Sequence, residues 1–327
     1  MRKTAIIAAT AAGHELAQLI SRKLPGSEII VYEQGVRRAL EKAWASYDGI
    51  VCVMASGIVV RCLNGLCQSK YHDPCVVVVD EEGRHAISLL SGHIGGGNSL
   101  AGEIADICGG TAVITTASDV SGHTAVDLWT VEEHLTVVNP ERLAAISSRL
   151  LQNGTLKVYQ ERNFIKSFPD DFRPCTNRQD ADIVIALVPK EESGLLLIPR
   201  IRFIGFGCRR GASVEEFKQA LADLEAHEGL ELRSVGGMAS IDLKNDEEGL
   251  LKLGLLQNWP IRFFSKEQIN SVAGPTRSDV VHQKIGVFGV CESAAILAAS
   301  VNGRMGQLII KKRKWERITA AVAEVAY

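Results

Sequence analysis

The segment with the most chemical potential is a glycine-rich loop that carries a histidine, Ser91-Gly-His-Ile-Gly-Gly-Gly-Asn98. It follows a strand-like run and precedes a helical pattern, so its backbone N–H groups should converge where the helix begins. Such N–H groups and the helix dipole favour an anion, and glycines let a ligand approach the backbone closely. His93 is suited to move a proton near neutral pH, and Asn98 is a natural N-cap. The pattern predicts a ligand site with proton-transfer chemistry; the alternative is a turn in which His93 is merely solvated.

A second polar cluster, Thr115-Thr-Ala-Ser-Asp119, follows the strand-like run that begins at Thr111. In doubly wound sheets the carboxyl ends of strands line the ligand crevice. If this strand runs beside the preceding one, Thr116, Ser118 and Asp119 face the same mouth as the glycine loop. Asp119 could then orient or ionise a neighbouring histidine. The alternative is that this segment only caps the next helix.

A third cluster begins at Ser56-Gly57, directly after the buried run that ends near Met54. We expect it to occupy the same topological position as the other two loops. Arg61 follows one helical turn later and points either to the crevice or to water, and Lys70 lies further downstream. These residues are candidates for binding an anionic substrate.

Two adjacent arginines, Arg209 and Arg210, lie in a second glycine-containing segment that runs from Gly205 to Gly211. The next residues, Ser213-Val-Glu-Glu216, predict a capping box at the start of a helix. Arginine binds a carboxylate through two parallel hydrogen bonds, so this helix start is a candidate carboxylate site. A solvated loop is the alternative.

The elements that would position these residues alternate between strand and helix patterns. Such alternation predicts an α/β fold with largely parallel sheets. The short, glycine-containing connection between Cys75–Val79 and His85–Leu90 indicates a hairpin. We predict two Rossmann-like α/β units joined by a smaller middle region. The predicted bounds are 1–128 for the N-terminal domain, 129–199 for the middle region and 200–327 for the C-terminal domain.

Composition excludes several classes of protein. The 327 residues include 36 Lys and Arg against 38 Asp and Glu, so the net charge is −2 and lacks the basic excess of a nucleic-acid-binding protein. The eight cysteines form no CxxC pair and the eight histidines no HxH or HExxH motif, so no metal site is predicted. No run is long enough to span a membrane, and the short apolar stretch at the start does not read as a signal peptide. The expectation is a reduced, cytoplasmic protein with no membrane or nucleic-acid partner.

In combination, these segments resemble the cobalamin biosynthesis protein G family, the cobalt-precorrin-5A hydrolases. The N-terminal resemblance rests on GIVVR, VVVVDE, SLLSGHIGGGNSLA and VITTASD. The C-terminal resemblance rests on IGFGCRRGASVEE, MASIDLKNDEEGLL and GVCESAAILAA, in matching order. The resemblance covers about residues 45–128 and 200–325, and the middle third is weaker.

The resemblance implies an enzyme of anaerobic cobalamin synthesis that acts on a cobalt-bearing macrocycle with acetate and propionate arms. Water opens a δ-lactone, and the bridge carbon leaves with its methyl group as acetaldehyde, which gives cobalt-precorrin-5B. No protein-bound cofactor is implied, because the substrate carries the cobalt. Hand-over of intermediates to other corrin-pathway enzymes is a further expectation.

On this interpretation His93 is the general base, Asp119 its orienting or acidic partner, and the backbone from Gly95 to Asn98 the oxyanion donor. The residues predicted to bind substrate are Ser56, Arg61, Lys70, Ser91, Gly95, Gly96, Gly97, Thr116, Arg209 and Arg210. Two alternatives remain open. A non-catalytic corrinoid carrier would keep the basic groups without needing His93 or Asp119. A nucleotide-dependent Rossmann-like enzyme would need a full glycine fingerprint, of which Ala9-Thr-Ala-Ala-Gly13 supplies only a fragment.

Overall fold

The fold contains three β-sheets, and helices alternate with many of their strands along the chain, which confirms the predicted α/β class. The computed structural model describes residues 2–31, 35–68, 72–93, 95–115, 122–190, 194–272, 286–287 and 289–326. The chain divides into two compact units, Met1–Val131 with Leu143–Thr155, and Glu132–Arg142 with Leu156–Tyr327. The domain bounds given above stay a prediction. No helix among the described residues is long and apolar enough to cross a bilayer.

The first unit contains a six-stranded sheet with the strand order β2-β1-β3-β4-β5-β6. Its strands are β1 (Thr4–Ala8), β2 (Ser27–Ile29), β3 (Gly49–Val53), β4 (Cys75–Val79), β5 (His85–Leu90) and β6 (Thr111–Val113). Its helices are α1 (Ala11–Lys23), α2 (Val36–Trp44), α3 (Ser56–Leu63), α4 (Gly97–Cys108), α5 (Val126–Glu132) and α6 (Leu143–Asn153). Strands β3 and β4 are buried along their whole length, as expected for strands with both faces covered.

Side chains that alternate along the strands of this sheet supply two separate cores. Ile6, Val51 and Val77 face one side, where they pack with residues of α1 and α4. The next residue along each strand faces the other side, where it packs with α2 and α3. This period of two is what fixes each strand's register against its neighbours.

The direction of the strands decides which loops lie at the same edge. Strands β1, β2, β3 and β4 are mutually parallel. The predicted hairpin is confirmed, because β4 pairs antiparallel with β5, and β6 then runs parallel to β5. The carboxyl ends of β5 and β6 therefore lie at the edge of the sheet where β1, β3 and β4 begin.

The second unit contains two five-stranded sheets, ordered β7-β11-β10-β8-β9 and β14-β13-β12-β16-β15. The strands of the first are β7 (Leu135–Val137), β8 (Leu156–Gln160), β9 (Phe172–Pro174), β10 (Ile183–Ile185) and β11 (Leu195–Pro199). The strands of the second are β12 (Arg202–Cys208), β13 (Val235–Ile241), β14 (Ile261–Phe264), β15 (Gln307–Lys314) and β16 (Ile318–Glu324).

The α-helices of the second unit are α7 (Val214–Glu228), α8 (Glu248–Gln257), α9 (Lys266–Ser271) and α10 (Cys291–Ala298). Short 3₁₀ turns occupy Pro140–Arg142, Arg178–Asp180, Leu232–Ser234 and Asp242–Lys244. The predicted capping box is present, because the Ser213 hydroxyl accepts from the Glu216 N–H while the Glu216 carboxylate accepts from the Ser213 N–H. This box fixes the start of α7 beside Arg209 and Arg210.

Candidate active site

The glycine loop leaves β5 at Leu90 and enters α4 at Gly97. Ser91 (φ 52°) and Gly96 (φ 76°) adopt left-handed backbone conformations, which turn the chain back on itself. Gly96 occupies the cap position of the helix. The prediction that Asn98 is the N-cap was therefore wrong, because the helix begins at Gly97 and Asn98 is its second residue.

Most of the backbone N–H groups that are predicted to stabilise an oxyanion instead donate hydrogen bonds within the loop itself. The bonds are Gly96 N to His93 O at 2.8 Å, Gly97 N to Ser91 O at 3.1 Å, and Asn98 N to Gly92 O at 2.8 Å. Within the described residues, Gly95 is the one predicted donor whose N–H makes no such bond. An oxyanion hole built from all four N–H groups would thus require the loop to rearrange when substrate binds.

His93 pairs with a carboxylate that lies 34 residues further along the chain. Its Nδ1 is 3.3 Å from Oδ1 of Asp127, and the two side chains are only 11% and 17% exposed. Asp127 stands in the first turn of α5, where the helix dipole favours a negative charge. The sequence interpretation gave this partner role to Asp119, which lies outside the described residues. The sequence signal that could have identified Asp127 is an aspartate at the start of a helix shortly after the second cluster.

Two serine hydroxyls are buried at the glycine loop, one below it and one at its first residue. The Oγ atoms of Ser88 and Ser91 are inaccessible to solvent and have no hydrogen-bond partner within the described part of the chain. The Ser88 hydroxyl lies directly below Gly97, since a Cβ there would be 3.0 Å from its Oγ. A buried hydroxyl without a partner costs roughly 1–3 kcal/mol. The loop therefore contains polar groups that a bound substrate could satisfy.

The Ser56 cluster does not share an edge of the sheet with the glycine loop. Ser56 begins α3 after β3, whereas the loop follows β5, which runs in the opposite direction. The five residues of β3 place the two edges about 16 Å apart. The expectation of one shared position was wrong, because the hairpin reverses the chain. Ser56 and Arg61 are both exposed at the far edge.

Strands β5 and β6 are parallel neighbours as predicted, so Thr115, which follows β6 and begins the second cluster, lies toward the same edge of the sheet as the glycine loop. The predicted residues Thr116, Ser118 and Asp119 of this cluster lie outside the described residues, as does Lys70. Of the predicted site residues, the structure therefore brings together those of the glycine loop, namely His93, Asn98, Ser91 and the loop glycines.

A cleft of about 420 Å³ lies in the second unit, where the N-termini of α7 and α8 meet. The charged residues lining it are Arg210, Glu215, Asp246, Glu247, Glu248 and Lys252. Arg210 is already paired, with its Nη1 2.8 Å from Oδ2 of Asp246, and Glu247 accepts a hydrogen bond from the Gly211 N–H. Four acidic groups against two basic ones do not favour a carboxylate ligand. The exposed Arg209 donates its backbone N–H to the Arg317 carbonyl at 2.9 Å.

We expect Arg210→Ala to change the KM for a polyanionic substrate by less than about twofold, because an exposed, already paired guanidinium contributes little. Steady-state kinetics over a range of substrate concentrations measure this directly. Asp246→Ala, which releases Arg210 from its partner, is the companion variant. A large rise in KM for Arg210→Ala together with a fall for Asp246→Ala would show that Arg210 binds substrate after all.

Comparison with known proteins identifies two regions of similarity to family models. Residues 38–119 match the model described as Cobalamin synthesis G N-terminal, and residues 202–323 match the model described as Cobalamin synthesis G C-terminus. The first match contains the glycine loop with His93. The second contains Arg209, Arg210 and the cleft.

Curated relatives align over most of the chain. Cobalt-precorrin-5A hydrolase of Priestia megaterium is 31% identical over 99% of this chain and 95% of its own length. Cobalt-precorrin-5A hydrolase of Salmonella typhimurium is 28% identical over 91% of this chain and 88% of its own length. A solved structure described as a cobalamin biosynthesis protein G homologue from Sulfolobus solfataricus is 24% identical, covers 99% of this chain and 98% of that one, and has a TM-score of 0.43.

Proposed function

This chain belongs to the cobalamin synthesis G family, that of the cobalt-precorrin-5A hydrolases, and we propose that it opens the δ-lactone of cobalt-precorrin-5A with water and releases acetaldehyde. The observation that carries the mechanism is the pairing of His93, in the glycine loop, with Asp127, in the first turn of α5. A histidine held by a carboxylate is the arrangement that a water-activating base requires. Both side chains are mostly shielded from solvent, which strengthens their interaction.

His93 acts as the general base on the attacking water. In this proposal Nδ1–H is donated to Asp127, and the other ring nitrogen, Nε2, accepts the proton of the attacking water. The water oxygen bonds to the lactone carbonyl carbon, and His93 takes the proton. The adjacent Asp127 carboxylate stabilises the imidazolium that forms. Asp127 is thus a positioning residue, since it acts through His93.

Collapse of the tetrahedral intermediate breaks the ring C–O bond of the lactone. This leaves a carboxylate on the freed arm and a hydroxyl on the bridge carbon. When that hydroxyl loses its proton, a carbonyl forms and the adjacent carbon–carbon bond breaks, with its electron pair remaining on the macrocycle. The bridge carbon and its methyl group depart as acetaldehyde. The Gly95 N–H and, after rearrangement, those of Gly96, Gly97 and Asn98 are the proposed donors to the developing oxyanion.

The cobalt enters with the substrate, so the proposal includes no resident cofactor or metal. Ser91 is retained as a substrate-binding residue because its buried hydroxyl can satisfy a polar group of the ligand. Arg209 at the start of α7 is retained as a candidate for a second carboxylate arm. Transfer of the corrinoid to the next enzyme of the pathway remains a proposal without a surface assigned to it.

The test of the function is an anaerobic assay in which purified protein is mixed with cobalt-precorrin-5A. We expect one acetaldehyde, captured as a hydrazone, for each corrinoid consumed, over many turnovers. Binding that changes the corrinoid spectrum without any acetaldehyde would support a carrier instead. If the protein neither binds cobalt-precorrin-5A nor releases acetaldehyde, the proposal is rejected.

We expect Asp127→Asn to lower kcat by about 10- to 100-fold while KM changes little, because the variant keeps the shape of the side chain but loses the charge that stabilises the imidazolium. Acetaldehyde release at saturating substrate measures the effect. Asp106→Asn, an exposed position on α4, removes the same charge and is the matched control. Equal rates for Asp127→Asn and the control would remove Asp127 from the mechanism.

A further inference from the structure

An arginine that the sequence interpretation passed over lies against the glycine loop. The side chain of Arg2 runs through a slot whose floor includes Gly49 and Gly96. A Cβ on Gly49 would lie 3.2 Å from the Arg2 Cδ, and a Cβ on Gly96 would overlap the guanidinium, with Cζ only 3.0 Å away. A side chain at position 96 would displace the guanidinium, and one at position 49 would press on the stem of Arg2.

The stem of Arg2 packs beside core residues of the first unit. Gly49 begins β3, and a Cβ on it would also contact Cys75 of β4 at 3.2 Å and Leu100 of α4 at 3.3 Å. The Arg2 Cδ therefore lies beside core residues of the first unit, while its guanidinium lies against Gly96, the N-cap of α4, and the residue as a whole is half-buried. A side chain packed along part of its length loses less rotamer freedom when a ligand binds than a fully solvated one does.

In the part of the chain that the structure describes, Arg2 makes neither a hydrogen bond nor an ion pair. A guanidinium carries five N–H donors in a planar fork that fits a carboxylate. Its neighbour Gly96 donates its N–H to the His93 carbonyl, so the charge lies close to the backbone of the proposed base.

We propose that Arg2 binds a carboxylate arm of the corrinoid substrate and holds it beside His93. This inference rests on the proposed function, because the substrate class supplies the carboxylates. Arg2 differs in its surroundings from the arginines that the sequence predicts to bind substrate. Arg61 lies at the far edge of the sheet, and Arg210 is paired with Asp246. Arg2 is a cation available at the edge that carries the glycine loop.

The experiment separates binding from turnover. The Kd for cobalt-precorrin-5A is measured by anaerobic spectral titration in the His93→Gln background, in which the substrate is consumed slowly. Adding Arg2→Ala is expected to raise Kd by about 10- to 100-fold, the value of a charge-assisted hydrogen-bonded pair. The affinity should also become less dependent on salt, which loss of a purely structural contact would not cause.

Lys3→Ala is the matched control. It removes the same charge one residue away, where the Lys3 ammonium lies 4.5 Å from the centroid of the Tyr47 ring. If Arg2→Ala does not fold, Arg2→Lys keeps the charge and the stem but loses the fork, and it should raise Kd by at least about threefold. A folded Arg2 variant with a Kd within twofold of its parent, or equal to the control, overturns the proposal.

The two proposals can fail separately. Wild-type protein that binds the corrinoid without releasing acetaldehyde would reject the hydrolase mechanism, yet the Kd of the Arg2 variants would still decide the role of Arg2. Turnover with an unchanged Kd in the Arg2 variants would reject only the role of Arg2. Protein that neither binds nor converts cobalt-precorrin-5A would overturn both.

Discussion

Replacing His93 by glutamine is expected to lower kcat for acetaldehyde release by about 10²- to 10⁴-fold, the contribution of a positioned general base. Glutamine retains hydrogen-bonding capacity and approximate size but does not take a proton from water. The loss should appear in kcat rather than KM, because the interaction between base and water strengthens in the transition state. Steady-state assays under anaerobic conditions measure both constants.

The chain supplies an unusually close control for this variant. His85 also pairs with an aspartate, since its Nδ1 is 3.6 Å from Oδ2 of Asp80, but it stands at the opposite end of β5. Its side chain is 59% exposed, against 11% for His93. His85→Gln should leave the rate unchanged. If His93→Gln remains within threefold of the wild-type rate and unfolds at the same temperature, another group must activate the water.

The parts of the fold that the sequence predicts well are those with strong local patterns. Strands β4 and β5 have the predicted bounds because Cys75–Val79 is a continuous run of buried apolar residues and a short glycine turn follows it. The sheet of the middle region was not predicted. Two of its strands, Leu135–Val137 and Phe172–Pro174, are three residues long, which is too short for a period of two to be recognised.

The candidate site shows the same division between local and distant information. The histidine and its glycine loop are contiguous in sequence, so their association could be predicted. The contact of His93 with Asp127 depends on the packing of α5 near the end of β5, and no local pattern encodes it. Arg2 is a similar case, because its side chain lies against Gly49 and Gly96, which are far apart in the sequence. The prediction for Ser56 was wrong because the hairpin between β4 and β5 reverses the chain. The carboxyl ends of β3 and β5 therefore lie at opposite edges of the sheet.

Gly205→Ala is expected to destabilise the protein by about 3 kcal/mol or more, beyond the usual range for overpacking. Gly205 begins the glycine-containing segment that leads to Arg209 and Arg210, and the structure places it within β12, directly beneath α10. A Cβ at this position would overlap the carbonyl oxygen of Cys291 and lie 2.6 Å from the Ala295 nitrogen. Both are backbone atoms of a helix, so no change of rotamer relieves the contact and the helix must move away from the sheet.

Gly207, two residues further along β12, provides the comparison that isolates the effect of the close approach of α10. A Cβ on Gly207 would lie 2.7 Å from Oγ1 of Thr319, a side-chain atom, and otherwise meet Val290 at a comfortable 3.7 Å. Gly207→Ala should therefore cost less, about 1 kcal/mol, because the threonine side chain can rotate. Urea unfolding of both variants, followed by circular dichroism, gives the two free energies. If the two variants lose the same free energy of unfolding, the close approach of α10 to β12 is not what requires glycine at position 205. The strand would then accommodate both methyl groups by the same small shift.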